Sequence, residues 1–428
     1  MKSLDTKLAL VKTDRASRAF IIADAKDADM AFGVRAPGPR NYLSARGARP
    51  AAFSPEVWSR EEYGHRNLPE FLDIIREVVK QGVVDIMLMS AYVNEQLTIK
   101  EGLFRDSHVT PAARANDTTD VWAVRHGCYT REPVQTFRSA SIGHIQCGKL
   151  ECEEGEVPGA NLGLYSVTFI NDLEYDRNTL LAFKEFREEA ERKKFRYFLE
   201  VFDPNVDSGV APEKIGEFIN DKIIRSLAGV AEAGRPVFLK IVYHGPRCME
   251  ELAQYDPNLV VGILGGSAGT TYDAFKLIHD AQKYGARVAL FGRKINNAEH
   301  QLAFIEMLRM ITDGRISPEE AVRAYHGVLQ ARKITPKLPL EKDLLLTDQA
   351  MSYDGSGAAR STVTITNNPL SGAASKPAQA PAAAAPVPAP ASANGAWPVL
   401  STGRPDFDRM NTAQRRAYDQ DRLTRIFG

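Results

Sequence analysis

Short apolar runs rich in β-branched residues alternate with longer stretches whose apolar positions recur at helical spacing. The alternation extends over residues 1–345. Such runs predict strands, and the intervening pattern predicts helices that cover them. Eight candidate strands follow: residues 18–24, 83–90, 119–125, 163–170, 197–202, 237–243, 259–264 and 287–291. Helical patterns occupy 68–81, 177–194, 212–233, 248–255, 271–284, 297–312 and 318–333. Eight strand–helix units in this length predict an α/β fold of the (β/α)8 TIM-barrel type, with insertions.

Three insertions interrupt the pattern, at residues 35–68, 95–117 and 128–161. In this architecture the active site forms at the carboxyl ends of the strands. The first and third insertions are expected at that end, either covering the site or serving as surface and oligomer contacts. A homo-oligomer is expected.

The pattern stops near residue 346. Residues 346–400 are dominated toward their end by Ala and Pro, as in the run Ala382-Ala-Ala-Ala-Pro386. This composition cannot bury a core and predicts a disordered Ala/Pro-rich tail acting as a linker. Residues 401–428 regain a helical signal, with Asn411 and Gln414 spaced as a capping box and Leu423, Ile426 and Phe427 as an apolar end. A tether ending in a short, partly apolar helix fits a docking peptide. It resembles the encapsulation peptides of bacterial microcompartment cargo enzymes, which implies a shell or scaffold partner. The plainer readings are a structureless tail or a helix packed back on the barrel.

Composition narrows the classes. Apolar residues make up 44% and charged residues 25%, the balance of a soluble globular chain. Lys plus Arg and Asp plus Glu each number 54, so no overall field favours nucleic acid or an anionic membrane. No apolar run reaches the roughly 20 residues of a membrane span, and the charged N-terminus is unlike a signal peptide. Four cysteines do not make a disulfide scaffold, so a reduced, cytoplasmic protein with free thiols is expected, inside a microcompartment if the tail docks. Cys128, His144, Cys147 and Cys152 match no strong zinc-ligand spacing, and no metal is expected.

The chemistry is carried by charge inside apolar strands. Lys240 lies in Val237-Phe-Leu-Lys-Ile-Val-Tyr243. An ammonium there is costly without a partner or a role. A buried lysine that becomes a neutral amine attacks a carbonyl and forms an imine, an electron sink for carbon–carbon cleavage that needs no cofactor. The alternative is a structural ion pair. Glu200, in Phe198-Leu-Glu-Val-Phe202, stands on the preceding strand. It is placed to hold or shuttle the lysine's proton, or simply to pair with it. Asp24 ends the first strand, where it either contacts a substrate hydroxyl, orients Lys240 or caps the next turn.

Gly265, Gly266 and Ser267 follow the seventh strand, next to a helix start near Thr270 or Thr271, and Gly292 and Arg293 follow the eighth. The loops after these strands are a frequent phosphate site of the fold, where amides and a helix start favour an anion. Arg125, with His126, ends the expected third strand and is a candidate second contact to phosphate or hydroxyl.

Residues 163–314 resemble the class I, Schiff-base aldolases of the archaeal-type fructose-bisphosphate and deoxyribose-phosphate aldolase superfamily, and tagatose-bisphosphate aldolase. The resemblance rests on Phe198-Leu-Glu200, Leu239-Lys-Ile-Val-Tyr243, Gly265-Gly-Ser267 and Phe291-Gly-Arg293. It implies that Lys240 forms the imine and that the glycines with Arg293 hold a substrate phosphate. It matches Asp24 to an acidic residue of the family's first strand. Phe169 stands where the archaeal-type enzymes carry a catalytic tyrosine, leaving proton transfer to Glu200, Tyr243 or another group. Ala25-Lys26 replaces the family's frequent His-Gly. The expected activity is that of an aldehyde-lyase on a phosphorylated ketose. The alternatives are a phosphosugar isomerase or epimerase with Glu200 as base, and a non-catalytic cargo protein that binds a sugar phosphate.

Overall fold

The computed structural model describes residues 2–14, 16–39, 65–117, 126–129, 131–266 and 269–347, together with Val124 and parts of 397–418. The chain divides into two compact units. One comprises Met1–Asn41 with His65–Asn368, the other Tyr42–Gly64 with Pro369–Gly428.

The first unit is a closed barrel of eight parallel strands in sequence order, a (β/α)8 TIM barrel. The strands are β1 (Ile21–Lys26), β2 (Ile86–Met89), β3 (Thr110–Arg114), β4 (Leu162–Thr168), β5 (Arg196–Phe202), β6 (Leu239–Ile241), β7 (Gly262–Leu264) and β8 (Val288–Phe291). The principal helices are α1 (Ser3–Thr13), α2 (Leu68–Gln81), α3 (Leu173–Arg192), α4 (Ile215–Leu227), α5 (Gly245–Tyr255), α6 (Thr271–Lys283), α7 (Gln301–Thr312) and α8 (Pro318–Ala331). Among the described residues no helix is long and apolar enough to cross a membrane.

Strand alternation divides the core into two layers. Ile21, Ala23 and Ala25 of β1, Leu164 of β4, Phe198 of β5, Phe238 before β6 and Leu290 of β8 fill the barrel. Their neighbours Ile22, Tyr165, Val201 and Ile241 face the helices. Phe198 and Phe238 stack with ring centroids 4.5 Å apart and floor the upper half of the barrel.

Helix α1 was not legible as a separate element, yet Leu4 and Leu8 enter the interior cluster and close the N-terminal end. Lys7 fixes it there, donating to the Phe20 carbonyl at 3.0 Å and to Asp85 at 2.9 Å. Asp85 also accepts from Arg309 at 2.7 Å and from the Ile22 amide at 2.9 Å, tying α1, β1 and α7 together.

The third strand departs from expectation. It is Thr110–Arg114, inside what reads as an insertion, and the anticipated run 119–125 lies almost wholly outside the described residues. Thr110-Pro-Ala-Ala-Arg lacks the bulky β-branched content that marks a strand in sequence, and Pro111 argues against one. Its pairing with β2, Thr110 opposite Ile86 and Ala113 opposite Met89, nevertheless closes the ring.

The free-thiol expectation is corrected at two positions. Cys147 and Cys152 form a disulfide with Cα atoms 5.9 Å apart. A short helix ends at Cys147, and Gly148 in the left-handed region (φ 75°) turns the chain back so that Cys152 comes within reach. His144 is exposed, with Nδ1 2.6 Å from the Ser141 hydroxyl. Cys128 and Cys248 are free.

In the second unit the Asn411–Gln414 capping box is formed: Gln414 N donates to Asn411 Oδ1 at 3.0 Å and Asn411 N to Gln414 Oε1 at 3.1 Å. Most of the anticipated linker lies outside the described residues, as does the apolar end of the anticipated docking helix.

Leu4 is fully buried at the foot of the barrel. Leu4→Ala is expected to lower unfolding stability by about 3 kcal/mol in urea titrations, the cost of a cavity that α1 cannot collapse.

Candidate active site

The register of three strands assembles the site. Ser166 of β4 pairs with Glu200 of β5, and Glu200 pairs with Lys240 of β6. All three lie on the interior face, one step above the Phe198–Phe238 floor, so their side chains meet at one height. The Lys240 ammonium lies 2.5 Å from Glu200 Oε1. The other carboxylate oxygen, Oε2, accepts from the Ser166 hydroxyl at 2.6 Å and from Arg114 at 3.4 Å. Arg114 ends β3 and also donates to Ser166 Oγ at 2.9 Å and to Asp27 Oδ2 at 2.5 Å. Asp27, Arg114, Ser166, Glu200 and Lys240 are all buried. Burial alone would depress the Arg114 guanidinium; Asp27 and Glu200 outweigh it and hold its pKa above the usual value.

A cleft opens above this network. Lys240, Glu200, Arg114 and Asp27 line it together with Gly266, Gly292 and Arg293. Gly266 is in the left-handed region (φ 57°), which a side chain rarely adopts. A Cβ at Gly292 would stand 2.5 Å from the Ala25 carbonyl oxygen, so only glycine lets β8 leave the barrel there. Arg293 lies over the Phe32 ring, 5.2 Å from its centroid. Burial draws its pKa down to about 10, against the opposing pull of Glu200 and Tyr129.

Tyr129 belongs to the long connection after β3. It is buried with Phe202 and Leu264, against Phe32 and Val242, as an apolar collar at the mouth. Asn205, just beyond β5, donates to the Tyr129 carbonyl at 2.7 Å and the Glu132 carbonyl at 2.8 Å and pins this turn down.

Several sequence-based assignments change. Asp24 does not reach Lys240. It alternates away from Ala23 and Ala25 and pairs with Lys26 at 2.8 Å, both fully buried on the helix-facing side of β1. Burial raises the Asp24 pKa and lowers that of Lys26. The acidic group that β1 delivers to the cleft is Asp27, three residues on. Arg125 and Ser267 lie outside the described residues, and His126 is exposed. The strand-three arginine of the site is Arg114. Gly265 packs against Phe291, where a Cβ would come within 2.2 Å of the ring, and its amide donates to the Leu290 carbonyl at 2.8 Å. That amide is therefore spent on the ladder. The start of α6 is also filled. Its first amides go to the Thr270 hydroxyl and to Asp343, which accepts from Thr271 N at 2.7 Å. Of the residues expected to hold an anion, Gly266, Gly292 and Arg293 are among those lining the cleft.

Phe169 and Tyr243 both face the helices. Phe169 packs under Lys222, and Tyr243 is buried near Asp280, where burial and neighbouring negative charge push its phenol far up. Neither serves the cleft. Arg114, Ser166 and Asp27 are the site residues that sequence reasoning missed. Ser166 was within reach of it, since β4 alternation places it beside Glu200.

No family model and no curated protein matches the chain. Solved structures do. A fructose-bisphosphate aldolase from Slackia heliotrinireducens superposes with a TM-score of 0.51 at 13% identity, over 75% of this chain and 89% of that one. An archaeal fructose 1,6-bisphosphate aldolase gives 0.48 at 14% identity, over 72% and 99%. Another structure of an archaeal enzyme, with its catalytic lysine bound to a carbinolamine intermediate, also gives 0.48 at 14%.

Removing a partner from this network strands the charges left behind. Arg114→Met leaves Asp27 and Glu200 buried together and is expected to cost about 3–5 kcal/mol, whereas Lys240→Met leaves Glu200 held by Arg114 and Ser166 and costs less; denaturant titration of the two variants checks the order. Asp29, beside the cleft and bonded to Ser90 at 2.7 Å, has its pKa raised by burial to about 6. A carboxyl that binds its proton more tightly when folded makes stability fall as pH rises from about 4 through 6. Asp29→Asn is expected to be stabilised relative to the parent by about 2 kcal/mol at pH 7.5 and by almost nothing at pH 4, read from urea midpoints.

This chain folds as a (β/α)8 barrel, the fold it shares with the fructose-bisphosphate aldolase from Slackia heliotrinireducens.

Proposed function

We propose that this protein is a class I aldolase that makes or breaks a carbon–carbon bond in a phosphorylated ketose through an imine on Lys240. The observation that carries the reading is the Lys240–Glu200 pair at 2.5 Å, opening into a cleft also lined by Gly266, Gly292 and Arg293. Glu200 takes a proton from the Lys240 ammonium, and the free amine adds to the substrate ketone to give a carbinolamine. Protonation of its hydroxyl and loss of water leave the iminium, which accepts the electron pair of the breaking carbon–carbon bond. Arg293 and the glycine backbone hold the phosphate at the other end. Glu200, carrying the proton it took from Lys240, is the donor we assign to dehydration of the carbinolamine, in place of Phe169 and Tyr243.

The fold shared with the Slackia aldolase agrees with this reading. The isomerase alternative has less support. It needs Glu200 as a base toward a substrate carbon, but Oε1 is engaged by Lys240 and Oε2 by Ser166 and Arg114.

Borohydride added with dihydroxyacetone phosphate is expected to fix the triose phosphate on Lys240, seen as a mass increase on the peptide that carries it. An unmodified Lys240 across dihydroxyacetone phosphate and a panel of ketose phosphates, or retained activity in Lys240→Ala, overturns the reading.

A further inference from the structure

The N-terminal end of the barrel carries a second cavity, of about 570 Å³. Its walls come from the turn before β1, the turn between α6 and β8, and the turn between α7 and α8. They lie at the opposite end of the strands from Lys240. Arg18, Lys283, Arg287 and Arg315 line it with His279, and Glu320 is the sole carboxylate in the lining. The whole chain has zero formal charge, so this concentration of cations is local.

The acids nearby are turned to other tasks. Glu320 accepts from the Ser317 amide at 2.8 Å within the capping box of α8. Asp280 is held by Lys276 at 2.5 Å and by His279 at 2.8 Å. Asp313 stands 4.0 Å from Arg309 and 3.8 Å from Arg315, too far for a tight pair.

The walls are cross-braced. Gln282 Nε2 donates to the Thr312 carbonyl at 2.9 Å and to the Arg18 carbonyl at 3.4 Å, joining all three turns. The Arg18 guanidinium lies over Gly314, where a Cβ would come within 2.3 Å of it. Arg287 is half-buried and oriented by the Ala286 carbonyl at 3.0 Å and the Gln282 carbonyl at 3.3 Å. Gathering Arg18, Lys283 and Arg315 around one space costs repulsion that a polyanion relieves, and the volume matches a metabolite-sized ligand.

We propose that this cavity binds a small polyanion bearing phosphate groups. The site is separate from the Lys240 cleft and stands whether or not the aldolase reading does.

Calorimetric titration of the full chain with pyrophosphate tests this. One saturable site is expected, weakening as salt is raised. Affinity is expected to fall at least tenfold in the Arg18→Gln/Arg315→Gln variant, whose side chains are exposed, and to persist in Lys240→Met/Arg293→Gln. Absence of saturable binding overturns the proposal. So does binding that is lost in the Lys240→Met/Arg293→Gln protein and kept in the Arg18→Gln/Arg315→Gln protein, which places the anion in the cleft. Should the Arg18→Gln/Arg315→Gln protein fail to fold by circular dichroism, Lys283→Gln gives the same readout from a third wall residue.

Discussion

The site depends on ladder register. Parallel pairing sets Ser166, Glu200 and Lys240 at one level, and strand alternation points all three into the barrel. A one-residue slip between β5 and β6 would turn either the lysine or the glutamate into the helix layer and separate the charges. The apolar packing on both faces of these strands therefore fixes where an amine and a carboxylate meet. Phe198 stacked on Phe238 holds the level directly beneath.

That geometry also settles how the charges coexist. Two cations, Arg114 and Lys240, alternate with two anions, Asp27 and Glu200, in a space closed from below. Each ion has an opposite partner, which is the condition for keeping charge inside a barrel. Arg293, stacked over Phe32, lines the same cleft where the glycine turns approach.

The barrel was legible in the sequence wherever strands carry bulky apolar runs. Helix 68–81 was predicted with the bounds it adopts from its helical apolar spacing, and the structure caps it at Asn67 and Gly82. The strand bearing Lys240 was legible for a different reason: a charge in an apolar run has few explanations. What stayed hidden depends on nonlocal geometry. Thr110–Arg114 is a strand because β2 and β4 need a neighbour, and its small residues do not announce it. Arg114 was lost with it. Asp24 stood out as the acid that ends the apolar run; the inward positions of Ala23 and Ala25 place it on the helix side and bring Asp27 to the cleft instead. Tyr129 reaches the mouth through a connection whose path no periodicity encodes. The Cys147–Cys152 bond likewise depends on a turn at Gly148 that composition does not reveal.

The central claim is that the Lys240 amine leaves Glu200 and bonds to a ketone whose phosphate sits by Arg293. A crystal structure of the protein soaked with dihydroxyacetone phosphate tests it most directly. Continuous density from Nζ to the substrate's second carbon, with the phosphate against Gly266, Gly292 and Arg293, is the predicted result. A phosphate bound there while Lys240 keeps its 2.5 Å contact with Glu200 and forms no bond would contradict it.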